Sequence, residues 1–270
     1  MLIDSHCHLS TFARRGDLDD VLNEASLAGV NRMITVGTSM DDWDLYRKLA
    51  QQYPGKVYYT LGLHPTDAGD DWEKQVEELA KRLRLRGDSV YPVALGEIGL
   101  DYFHLPKNPE QRAAEIERQK KAFEAQLNLA AEIKLPIVIH CRDAFDDCIK
   151  MIDTNGALWD HVVFHCFTGG KNEMDRINLR GGRGSFTGIV TYNNLSVTSI
   201  QEALVEQGVE RLMIETDCPY LTPEPYRGKE NHPAYLRYTF QKVAALLELP
   251  VIELEETITR NTFRFYGIEQ

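Results

Sequence analysis

Cysteine is scarce in this chain and odd in number: Cys7, Cys141, Cys148, Cys166 and Cys218, with no CxxC pair among them. That pattern supports neither a disulfide framework nor a zinc ribbon, and reduced thiols in a cytosolic protein are the simpler expectation. Long apolar runs are missing too; none approaches the roughly 18 residues that a bilayer span needs. Positive charge is in deficit, since 30 Lys and Arg against 41 Asp and Glu leave a net charge of −11. A broad basic footprint for nucleic acid is therefore absent, and any phosphate contact must be local. The N-terminus MLIDSHCHLS has no basic start and no apolar stretch of the secretory kind. Arg14 and Arg15 are followed by GDLDD, unlike a twin-arginine export signal. A cytoplasmic protein is expected, with no membrane contact and no obligate protein partner. No GxSxG elbow points to a serine hydrolase. No GxxxxGK[ST] loop occurs, and the glycines at 181, 182 and 184 miss the GxGxxG spacing.

What is present is the composition of an average soluble protein, 43% hydrophobic and 26% charged over 270 residues. Short β-rich runs alternate with longer helical patterns. The strand candidates are 2–6, 32–37, 57–63, 91–97, 135–141, 161–166, 184–190 and 211–217. Most are apolar on both faces, as parallel strands covered by helices are. Between the first two lies an amphipathic helix over 18–29, with Val21, Leu22 and Ala25 on one face and Gly29 placed to end it. The longest helix candidate runs from Pro109 to Lys134 and stops before Leu135-Pro136. Eight such alternations without linker or repeat predict one α/β domain over residues 1–270, a single (β/α)8 TIM-type barrel. A doubly wound open sheet would carry a glycine-rich turn after its first strand, where HCHLSTF stands instead.

Several predicted strands end in residues that bind metals. His6 and His8 follow the first, His64 the third, Glu97 ends the fourth, His140 the fifth, His165 the sixth and Asp217 the eighth. Glu97 needs a partner, because an unpaired carboxylate on a buried strand is costly. In a barrel the C-terminal strand ends converge on one face, so residues remote in sequence become neighbours there. His6 and His8 are two apart, and an extended chain aims both imidazoles the same way while Cys7 faces elsewhere. Taken singly, each residue has a plain structural reading: an incidental HxH, interior histidines, a capping aspartate, a glutamate paired with an arginine. Their shared position at strand ends favours a metal centre. Four histidines and two carboxylates exceed one tetrahedral ion and suit two ions bridged by Glu97.

The blocks DSHCHL, GLHP, GEIGLDY, IHCRDA, FHCFTGG and IETDCPYLTP resemble, in order, the signatures of the TatD-like metal-dependent hydrolases of the amidohydrolase superfamily. The resemblance covers nearly the whole chain. It implies a TIM-type barrel, a divalent-metal site and, for many members, a deoxyribonuclease that trims DNA from the 3′ end. It implies that His6, His8 and Asp217 hold one ion and His140 and His165 the other, with Glu97 shared and His64 nearby. The family's frequent RGKRNEP reads RGKENHP here, with Glu230 and His232 in place of Arg and Glu.

The expected function is phosphodiester hydrolysis by water activated at two divalent ions, whether Zn, Mn or Mg. Asp217, Glu97 and His64 are the candidate catalytic residues, Asp217 as proton acceptor. Arg142, Arg227 and Lys229 are candidate phosphate clamps. Tyr102, Phe103 and Tyr226 are candidate base contacts for a DNA substrate, single-stranded or frayed at its 3′ end. The alternatives are hydrolysis of a small ester, amide or lactone by the same ions, and a non-catalytic metal-binding protein.

Overall fold

In the computed structural model, which describes residues 1–85 and 90–269 but not the side chains of residues 195 and 196, eight parallel strands follow one another in chain order around a barrel. They are β1 (Leu2–Cys7), β2 (Val30–Val36), β3 (Val57–Leu61), β4 (Ala94–Asp101), β5 (Ile137–Arg142), β6 (Val162–Phe164), β7 (Arg183–Phe186) and β8 (Met213–Ile214). The helices between them are α1 (Ser10–Arg15), α2 (Leu18–Leu27), α3 (Met40–Gln52), α4 (Trp72–Arg84), α5 (Pro109–Ile133), α6 (Phe145–Asn155), α7 (Lys171–Asn178) and α8 (Leu195–Gln207). Two more, α9 (Leu236–Leu247) and α10 (Val251–Tyr266), follow β8. Among the described residues, no helix is long and apolar enough to cross a membrane.

Local chemistry explains the boundaries. The Asn108 side chain accepts the N–H groups of Glu110 and Gln111, and Pro109 occupies the first turn of α5. Ser39 and Asp42 form a capping box on α3. Gly29, with φ +85°, follows the end of α2 as its left-handed terminator. The strands are buried on both faces. Ile34, Ala94, Val138, Val163 and Met213, one each from five strands, form a cluster of their own, which meets Phe265 and Tyr266 of α10. This cluster fills the interior, while a larger one joins strands to the surrounding helices.

Several strands depart from expectation. β4 spans 94–101 rather than 91–97, which puts Glu97 in mid-strand and Asp101 at its end. The strand continues through Asp101 because that residue's N–H donates to Gln119 Oε1 at 2.9 Å and its carboxylate finds histidine partners. β8 is only Met213–Ile214 instead of 211–217. Beyond it the chain leaves the extended form, and Asp217 has φ +55°. The barrel closes there without a regular ladder. Asp217 N–H donates to His6 C=O at 2.9 Å, and His8 N–H to Cys218 C=O at 2.8 Å. Below them, the Asp4 carboxylate accepts the Thr216 N–H at 2.9 Å. β7 likewise ends at Phe186, and 188–191 form a short 3-10 turn.

Candidate metal centre

Glu97 reaches the barrel mouth through glycines. Gly99, paired with His140 across β4 and β5, has φ +146°, and a Cβ there would lie 2.0 Å from the His140 carbonyl. At Gly62 a Cβ would lie 2.5 Å from the Gly96 carbonyl carbon. Only glycine lets these backbones close up, and the Glu97 carboxylate then stands among five imidazoles. Its Oε1 faces His165 Nε2 at 2.7 Å, His140 Nδ1 at 2.8 Å and His64 Nε2 at 3.4 Å. Its Oε2 faces His6 Nε2 at 3.4 Å and His8 Nε2 at 3.9 Å. Asp217 Oδ1 completes the second group, 3.3 Å from His8 and 3.6 Å from His6. The expected ligands His6, His8, Glu97, His140, His165 and Asp217 thus come together.

The donor set fits divalent ions. His6 Nε2 and His8 Nε2 face each other at 3.3 Å, and His165 Nε2 and His140 Nδ1 at 3.4 Å. Two imidazole nitrogens so close must have either an N–H hydrogen or a metal ion between them. Buried His6 Nδ1 has no hydrogen-bond partner among the described residues.

Charge is balanced within the cluster. Burial would raise the Glu97 pKa, but His165, His64 and the hydrogen bonds from His140 and His165 hold it well below the ordinary value. Asp217 is lowered against its burial by His8 and His6. Burial would lower His165, yet Glu97 and Glu215 raise it well above the ordinary value. His140, opposed by burial in the same way, is raised by Asp101 and Glu97, and His8 by Asp217 and Glu97. His6 and His64 are lowered, chiefly by burial.

Behind the ligands stand acids to which the sequence reading gave no role. Asp101 Oδ2 lies 3.1 Å from His140 Nε2 and 2.8 Å from His104 Nδ1. Its pKa is held down by both histidines, although burial opposes them. Glu215 Oε1 accepts the Cys166 N–H at 2.6 Å and lies 3.4 Å from His165 Nδ1, off the hydrogen-bonding direction. For Asp101 the available signal is its even spacing from Glu97, four residues on within β4; Glu215 lies beyond β8, where strand alternation does not apply. His64 differs from the other histidines. Its Nδ1 accepts the Thr66 N–H at 3.2 Å, which leaves the proton of the neutral ring on Nε2, toward Glu97. With Glu97 and His140 it also forms a group whose donor atoms all lie within 4.8 Å of one another.

The cluster opens into a cleft of about 1350 Å³. Arg142, Arg227 and Phe103 line it, with the Arg142 guanidinium 3.8 Å above the Phe103 ring. Tyr102 and Lys229 lie elsewhere. The Tyr102 hydroxyl donates to Asp147 Oδ2 at 2.7 Å beside a neighbouring pocket, and Lys229 Nζ sits 5.2 Å above the Tyr226 ring. Tyr226 stacks on Tyr235, away from the residues lining the cleft. The two unusual loop residues also point outward to partners, Glu230 to Arg15 at 2.9 Å and His232 to Glu24 at 3.3 Å. Burial pushes the Cys7, Cys148 and Cys166 thiols well above their ordinary pKa, so these are poor nucleophiles.

The family model described as TatD related DNase matches residues 3–267. Over 99% of the chain and all of the relative, the sequence is 35% identical to the Bacillus subtilis protein named Uncharacterized metal-dependent hydrolase YabD. It is 34% identical to the 3′-5′ ssDNA/RNA exonuclease TatD of Escherichia fergusonii, over 96% of this chain and 95% of the relative. Among solved structures, the Escherichia coli TatD homologue YJJV superposes with a TM-score of 0.88 at 28% identity, over 99% of this chain and 98% of that one.

Proposed function

Because the chain belongs to the TatD-related DNase family, we propose that it is a divalent-metal-dependent hydrolase that shortens DNA from the 3′ end, one nucleotide at a time. The observation that carries this reading is the division of ligands over Glu97: His140 and His165 at Oε1, His6 and His8 at Oε2 with Asp217 beside them. Two ions fit that division, with Zn, Mn and Mg as candidates. When bound, they supply Lewis acidity that lowers the pKa of water and offsets charge building on the phosphate.

The chain's own residues do the rest. Glu97 holds the two groups of imidazoles in register. Asp217, with a side chain 12% exposed at the cleft, accepts the proton that the attacking water must lose. His64 directs its Nε2 proton into the same space and orients the substrate or water. Arg142 and Arg227 place guanidinium groups in the cleft, where they can pair with phosphate oxygens on a protein whose overall charge is negative. Local cations of this kind favour a short single-stranded end over long duplex tracking.

The test is a 5′-labelled oligonucleotide incubated with the protein and Mg, Mn or Zn, alongside a panel of small esters and lactones. The expected result is a ladder of labelled products that shortens from the 3′ end. Immediate release of the label as mononucleotide would reverse the proposed polarity. Absence of cleavage under every metal, with an ester turned over, would replace the nuclease reading.

A further inference from the structure

Two aromatic rings stand open to solvent at the rim of the metal cleft, Phe103 at 56% and Tyr220 at 62% exposure. Exposed apolar side chains are ordinary taken singly, but among the described residues these two are the only exposed large hydrophobic side chains that line the cleft. Their places in the barrel relate them to each other. Phe103 follows β4 and Tyr220 follows β8, and in a ring of eight strands these are diametrically opposed. The Glu97 cluster lies between them.

The backbone that carries each ring is also tied to a residue of the site. The Phe103 N–H donates to Asp101 Oδ1 at 2.9 Å, the carboxylate that holds His140. The Tyr220 N–H donates to the Asp217 carbonyl at 3.0 Å, and its ring sits edge-on to His8 with centroids 6.1 Å apart. Both flanks carry an arginine stacked on an aromatic ring: Arg142 over Phe103 at 3.8 Å, and Arg227 over Tyr192 at 4.2 Å. Each side therefore pairs a cation suited to phosphate with a ring surface suited to a base.

We propose that Phe103 and Tyr220 stack the two bases that flank the bond being cut, one ring for the terminal nucleotide and the other for its neighbour. The inference rests on the nuclease reading above and adds to it how a single strand is seated. A duplex end has its bases paired and stacked internally, so neither ring is available to it without fraying. Stacking of this kind ignores base identity, so the same seat accepts all four bases.

The experiment uses oligonucleotides carrying one abasic residue, at the 3′ terminus or at the penultimate position, compared with the intact strand. kcat/KM is measured for wild type, Phe103→Ala, Tyr220→Ala and the ring-retaining variants Phe103→Trp and Tyr220→Phe. Because the readout is the ratio of intact to abasic substrate within one enzyme, differences in metal loading or folded fraction cancel. Wild type should favour the intact strand by about five- to a hundred-fold for each base. Each alanine variant should lose that preference at one position and keep it at the other, and the ring-retaining variants should restore it. If both alanine variants keep the wild-type ratios at both positions, the stacking proposal is overturned while the nuclease reading stands. If wild type cuts no oligonucleotide at all, both fall together.

Discussion

The two sides of Glu97 solve the same task with negative charge in different places. Toward Oε2, the carboxylate of Asp217 stands among the ligands themselves, beside His6 and His8. Toward Oε1 the imidazoles of His140 and His165 face Glu97, and the additional carboxylates, Asp101 and Glu215, stand behind them. The side chains of Asp101 and Glu215 are each 1% exposed, against 12% for Asp217. A carboxylate with more of its surface in the cleft is the better placed to take a proton from a reacting group, whereas Asp101, though it also lines the cleft, has its Oδ2 held by His140 and His104 and is suited to orienting an imidazole. On the proposed reading, the Oε2 side is the one equipped for chemistry and the Oε1 side the one for holding.

The largest expected effect breaks both sides together. Glu97→Ala should empty both positions, with a loss of metal greater than the roughly 10- to 100-fold usual for an outer partner; elemental analysis after dialysis against Mn or Zn checks this. Retention of one full equivalent would mean that the carboxylate does not bridge.

Asp217→Asn separates the sides. It keeps the shape and one neutral oxygen ligand but accepts no proton near neutrality. Turnover at saturating Mn should fall by roughly 10² to 10⁴, while the Oε1 ion stays bound. If more than about a third of turnover survives, Asp217 is not the proton acceptor, and His64 becomes the next residue to test.

A smaller, opposite separation comes from Asp101→Asn. It should weaken the ion held by His140 and His165 by about 10- to 100-fold and leave the Oε2 ion almost untouched. Titration of the metal-free variant with Mn, followed calorimetrically, would show one affinity moved and one retained; equal weakening of both would end the distinction.

The mildest effect concerns protons in place of metals. Glu97, Asp101 and Asp217 have lowered pKa values, so their stabilisation is present above their ordinary values of 4.5 and 3.8 and is lost as pH falls through that range and below. His8, His140 and His165 are raised, so theirs is present below 6.5 and lost as pH rises through their higher folded values. His6 and His64, lowered by burial, work the other way and cost stability as pH falls below 6.5, so metal-free protein should melt highest between about pH 5 and 6.5 and lower toward about pH 8. Added Mn should remove the alkaline decline, because metal then occupies the nitrogens that protons leave. A flat melting profile in chelator would show that the imidazoles do not carry those protons.

Much of the fold was legible because strand and helix periods alternate without interruption, and the order of the eight strands follows directly from that alternation. The residues that gather around Glu97 could be picked out because most of them lie where a buried strand reaches the mouth, and the structure brings them together. Strand limits were harder to read. Glu97 looks like the end of a strand in one dimension, yet β4 runs on to Asp101 because Gln119, His140 and His104 satisfy that acid from other elements. The contributions of Asp101 and Glu215 depend on side-chain direction across neighbouring strands, which local composition does not carry. Tyr102 and Phe103 are adjacent aromatics, and only packing reveals that the first turns to Asp147 while the second stands open over the cleft.

The join between the last strand and the first has a consequence of its own. Its two backbone hydrogen bonds run between the peptide groups of His6, His8, Asp217 and Cys218, so the clasp that shuts the cylinder includes three of the candidate ligands, His6, His8 and Asp217. Closing the circle and assembling that half of the site are therefore a single act. If His6, His8 and Asp217 hold an ion as proposed, metal bound there also reports that the two ends of the barrel are joined.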